Sequence, residues 1–126
     1  MNDKKPALIP IYTSKGDAEA FLLYPYLFNR SGEWIGFVTP KREVYSVLGN
    51  FVGTLTNDPR IVSKRTTSTL KPRITPPATP EKVNPPAMVP LPPMMADLSH
   101  STIDVLLDAS ERLHTLDSGE QRQDLD

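Results

Sequence analysis

Tyr12-Thr13-Ser14-Lys15-Gly16-Asp17-Ala18-Glu19-Ala20-Phe21-Leu22 has two echoes downstream. They are Phe28-Asn29-Arg30-Ser31-Gly32-Glu33-Trp34-Ile35-Gly36-Phe37-Val38 and Tyr45-Ser46-Val47-Leu48-Gly49-Asn50-Phe51-Val52-Gly53-Thr54-Leu55. Each places an aromatic four residues before a glycine, and the aromatics at 12, 28 and 45 fall 16 and 17 residues apart. A unit of that size reads as strand, tight turn, strand, with Gly16, Gly32 and Gly49 where a short hairpin loop needs positive φ. The expected fold is therefore all-β: a small module of about four β-hairpin repeats with pseudo-symmetry.

Alternation after each turn glycine sets out two faces. Ala18-Ala20-Leu22, Trp34-Gly36-Val38 and Phe51-Gly53-Leu55 carry no charge and read as the inward face. Its middle slot is always tiny (Ala20, Gly36, Gly53), as expected where another backbone comes close, and the expectation is convergence of the units on a shared axis. A fourth unit opens at Ile61-Val62-Ser63 but no glycine follows it. The N-terminal apolar stretch 7–11 is the expected partner of that strand, closing the ring and removing exposed edges. Pro10 suits an edge position.

All nine aromatics lie between Tyr12 and Phe51, so order is expected to concentrate in residues 7–65. A core of that size is marginal, and with no cysteine there is neither a disulfide nor a thiolate metal site to staple it. Ring closure or homo-oligomerisation is the expected compensation. No signal-peptide core and no spanning stretch is visible, which makes a soluble cytoplasmic protein the expectation, with no membrane partner.

Residues 66–93 read as a proline-rich linker, disordered and semi-stiff. Nine of the 14 prolines lie between 72 and 93, a density that blocks helix and sheet and favours polyproline II. Either a spacer or a ligand for an aromatic groove is consistent with it. Residues 94–118 read as a Met patch followed by a short C-terminal amphipathic helix capped by Ser101, and 119–126 as an acidic tail. Ile103, Leu106, Leu107 and Leu113 form the helical stripe; with Met94 and Met95 they are the expected partner-binding residues, the partner being a protein of unidentified kind. The alternative is that the stripe docks on its own β module or on a second copy. Gly16, Gly32, Gly49, Gly36, Gly53 and Trp34 are the expected structural residues.

Ile9-Pro10-Ile11-Tyr12-Thr13-Ser14-Lys15-Gly16-Asp17-Ala18, Gly32-Glu33-Trp34-Ile35-Gly36, Glu43-Val44-Tyr45, Gly53 and Asp58-Pro59-Arg60-Ile61 together resemble the small bacterial four-fold β-flower domain. The resemblance covers about residues 7–65. It implies a four-hairpin β fold and carries over no catalytic or ligand residues.

Chemistry-bearing constellations are sparse. His100 and His114 both fall in the tail, and there is no phosphate loop or paired histidine motif, so no cofactor, metal site or enzymatic activity is expected. Three of the carboxylates, Asp17, Glu19 and Glu33, fall just after turn glycines and suit solvated hairpin positions. Arg60 to Arg73 is a basic stretch with interleaved hydroxyls, which makes nucleic-acid association the alternative to a protein-interaction (adaptor or scaffold) module. It lacks aromatics for base stacking, and the acidic tail would compete for it.

Overall fold

The turns come first, because they set everything else. The computed structural model describes residues 7–65 and 71–116. In it Thr13, Asn29 and Ser46 each open a five-residue turn closed by the same two backbone bonds. Thr13 N–H donates to Asp17 O at 2.8 Å and Gly16 N–H to Thr13 O at 2.9 Å; Asn29–Glu33 and Ser46–Asn50 repeat the pattern. The opening side chain then accepts from inside its own turn: Asn29 Oδ1 takes Ser31 N–H and Glu33 N–H, and Ser46 Oγ takes Leu48 N–H and Asn50 N–H. Short polar residues hold such turns because their oxygens reach backbone donors two to four residues on.

Among the described residues, eight antiparallel strands form one curled sheet in chain order: β1 (Ile9–Tyr12), β2 (Ala18–Leu23), β3 (Tyr26–Asn29), β4 (Trp34–Val38), β5 (Glu43–Ser46), β6 (Phe51–Leu55), β7 (Ile61–Lys64) and β8 (Thr102–Asp104). The hairpin repeat and the all-β class are thus as the sequence indicates. The ring closes differently. β7 pairs with β8, a strand supplied from beyond the proline-rich segment, through Val62↔Asp104 and Lys64↔Thr102. The N-terminal strand pairs with β2 alone, and Tyr12 N–H reaches Pro59 O at 3.0 Å to join the two ends. The folded unit therefore runs past residue 65 and needs residues 102–104.

Each of the three repeat hairpins, β1–β2, β3–β4 and β5–β6, also carries a bulge that simple alternation misses. Leu27 faces Gly36 and Phe28 faces Trp34, leaving Ile35 as the extra residue. Glu19 and Val52 occupy the same position in the other two hairpins. An extra residue swings everything before it to the opposite face. Trp34 and Phe51, expected on the inward face, lie instead in a second apolar cluster with Phe28, Phe37, Tyr45 and Val47. Ile35 and Val52 join the inner core with Ile11, Ala20, Leu22, Leu27, Val38, Val44, Leu55 and Ile61.

The small slot after each bulge reflects close approach between adjacent strands, not a common axis. A Cβ on Gly36 would stand 2.5 Å from Tyr45 O of β5 and 2.8 Å from Leu113 Cδ2, and one on Gly53 would run into Val62 O of β7.

The described part of the proline-rich segment is a strap bound to the sheet, where a free linker was expected. It passes the three turns in reverse order. Ile74 N–H donates to Gly49 O and Val83 N–H to Gly32 O, both at 3.0 Å, and Pro92 packs on Gly16. Tyr26 Oη and Tyr12 Oη donate to Ala78 O and Pro90 O at 2.9 and 2.6 Å. Ile74 and Val83 also cover the aromatic cluster, which explains why β4 is buried on both faces. The contact points 74, 83 and 92 are nine residues apart, and the strap repeats itself to match: Ile74-Thr75-Pro76-Pro77-Ala78 and Val83-Asn84-Pro85-Pro86-Ala87.

The expected amphipathic helix is also replaced. Thr102–Asp104 is strand, Val105–Asp108 a four-residue helix (α1) and Ser110–Arg112 a single 3₁₀ turn. Strand pairing with β7 outcompetes a helix too short to hold itself. The acidic tail, residues 119–126, lies outside the described residues.

Candidate functional site

The residues expected to dock a partner scatter. Ile103 and Leu113 are buried in the folded unit, and Leu106 packs half-buried against the inner core. Leu107 is 39% exposed. They are mostly core residues that close the sheet. Met94 alone of the expected set is fully displayed, with Met95 half-buried beside it.

What the sequence reading missed is the spacing around Met94. Met88, Leu91 and Met94 are 87%, 91% and 96% exposed and stand three residues apart. Three residues make one turn of an extended proline-rich chain, so such positions share one edge. The strap thus faces the sheet with Ile74, Val83 and Pro92 and displays an apolar ridge at its far end. The signal was present in the sequence as the three-residue spacing of Met88, Leu91 and Met94 within the apolar run 88–95.

Beyond the ridge the strap runs into a polar cluster. Arg60, 3% exposed, donates through Nη2 to Asp58 Oδ2 at 2.7 Å and to Ala96 O at 2.8 Å, and through Nη1 to Ser14 Oγ at 2.9 Å. Thr56 Oγ1 also donates to Asp58. The Arg60 guanidinium, followed by the Thr56 hydroxyl, holds the Asp58 carboxyl below its ordinary range against the opposing effect of burial. Ser14 in turn donates from both N and Oγ to Asp104 Oδ2, at 2.6 and 2.7 Å. Four chain segments, namely the first turn, the last turn, the strap and β8, are tied together there.

The basic stretch is largely spent on internal bonds. Besides Arg60, Arg65 Nε donates to His100 O, Arg73 Nε to Leu48 O, and Lys71 pairs with Glu43 Oε2 at 2.8 Å while lying over the Phe51 ring. Residues 66–70 lie outside the described residues. Tyr24 is 57% exposed, whereas Tyr26 and Trp34 pack edge to face in the cluster under the strap. No group of three or more metal-ligating side chains occurs among the described residues, and no described helix is long and apolar enough to cross a membrane.

Compared with known families, the chain matches the 4-fold beta flower protein over residues 9–106. It belongs to that family. The matched span contains all eight strands and the whole strap, so the β-flower unit is the sheet together with its strap and not the hairpins alone. Neither the curated proteins nor the solved structures gave a match.

Proposed function

We propose that this β-flower protein is a non-enzymatic protein-interaction module, an adaptor or scaffold working in the cytoplasm, that docks its partner along the ridge Met88, Leu91 and Met94. The observation that carries the reading is the near-complete exposure of those three side chains on a segment otherwise bound to the sheet. Large apolar side chains displayed in a row favour association, and methionine adapts to an irregular surface. Because the strap is already held, docking there costs less ordering entropy than recruiting a free tail. A proline-rich ridge of this kind suits an aromatic-lined groove on the partner.

The test compares the parent chain with a Met88→Ser, Leu91→Ser, Met94→Ser variant. Melting should be unchanged, since these side chains bury almost nothing, while the partners recovered from the native cell should be lost. Identical partners from both chains would sink the ridge and move the role to the sheet, with Tyr24 the first residue to examine. Loss of self-association alone, read by light scattering, would instead make the ridge a homo-oligomer contact.

A further inference from the structure

Asp104 stands out among the buried polar groups. It is 2% exposed, its Oδ2 accepts twice from Ser14, and its Oδ1 is buried with no hydrogen-bond partner among the described residues. Leaving a buried carboxylate oxygen unpaired is costly, and a fold that keeps one has a donor to offer it. Asp104 lines a cavity of about 400 Å³ between the strap's end, β8 and α1. Asp97 and Asp108 also line it. Of the two arginines in that lining, Arg60 is paired with Asp58, which leaves three carboxylates there against the single charge of Arg65.

The geometry points to this cavity as a binding site for an organic cation, a guanidinium or primary ammonium group. Such a group donates to Asp104 Oδ1, and Asp97 and Asp108 hold its charge. A polar donor is required because an apolar occupant would leave Oδ1 unpaired, and an anion would meet three like charges. Asp104 Oδ1 has no exposed surface, so binding as proposed requires lining side chains, such as Met95 or Leu107, to shift aside. The same chemistry is offered by a free amine or by an arginine side chain of another protein. The cavity takes none of the ridge's three side chains into its lining, so either proposal survives the failure of the other.

The experiment is an amide chemical-shift titration of the full chain with two probes: agmatine, and a short glycine-flanked arginine peptide with blocked ends. Saturable shifts at Ser14, Thr102 and Asp104 are expected with at least one probe. Agmatine alone would identify a free small cation as the ligand; the peptide alone would identify a protein side chain. An Asp97→Asn, Asp108→Asn variant, which spares the buried network, should weaken binding about tenfold. Asp104→Asn should abolish it, and its folding is checked by the same spectrum. Absence of saturable shifts with both probes, or an affinity unchanged in the double variant, would overturn the assignment.

Discussion

The hairpins and the strap are both repeats, but they repeat for different reasons. A hairpin satisfies its own backbone: its turn bonds lie within five residues and its strands pair with neighbours. The strap has no partner strand. It satisfies two of its amides on the carbonyls of Gly32 and Gly49, and its nine-residue spacing exists only because the turns are spaced as they are. Local structure is thus written into the hairpin sequence, whereas the strap's conformation is written into the surface it crosses. The comparison implies that the sheet should tolerate damage to the strap better than the strap tolerates damage to the turns.

The most damaging change should strike the sheet. Gly36→Val or Gly53→Val forces side-chain volume onto a neighbouring strand's backbone, and about 3 kcal/mol or more of stability should be lost in a denaturant titration. A similar loss is expected for Arg60→Met, which strips the buried cation from Asp58, Ser14 and Ala96 O and leaves those groups unpaired. Breaking such a buried pair costs about 3–5 kcal/mol, read as a lower denaturation midpoint. If either change spared the sheet and only freed the strap, the division drawn above would be wrong.

Gly32→Ala and Gly49→Ala should separate the two regions. Both glycines have positive φ, +82° and +87°, and a Cβ on either would collide with a carbonyl of the strap. The strain at positive φ costs about 1 kcal/mol. The collision is relieved by lifting the strap, so selective loss of protection at Val83 or Ile74 is expected while the hairpin amides stay protected.

Acid should act on the pins between the regions. Lys71 lowers the Glu43 carboxyl and Arg60 lowers that of Asp58, so both contribute stability above their ordinary values of 4.5 and 3.8. That contribution is lost as pH falls below those values towards the folded ones. Melting temperature should therefore drop on acidification below about pH 4, and Asp58→Asn should flatten the drop. The smallest effect belongs to Lys71→Ala, which removes an exposed ion pair and should leave melting nearly unchanged.

This difference also governs what could be read from the chain. Three turn glycines and the matched stretches after them were legible, because the physics is local. The bulges at Glu19, Ile35 and Val52 were not, since they appear only when strands are set in register; hence Trp34 was put on the wrong face. β8 hid behind a helical spacing of Ile103, Leu106 and Leu107, and pairing with β7 across the strap overrode it. The repeat Ile74-Thr75-Pro76-Pro77-Ala78 and Val83-Asn84-Pro85-Pro86-Ala87 was present as letters but masked by proline density, which on its own reads as disorder. The cluster of Arg60, Ser14 and Asp104 joins residues up to 90 apart and left no local trace.

Hydrogen exchange at the Ile74 and Val83 amides tests the central claim, that the strap is part of the fold. Both donate to turn carbonyls, so both should exchange far more slowly than the neighbouring exposed amides of Thr75 and Asn84, and faster than the amides of β4. Exchange at the rate of a free chain at both positions would show the segment to be a linker after all, and would contradict the account.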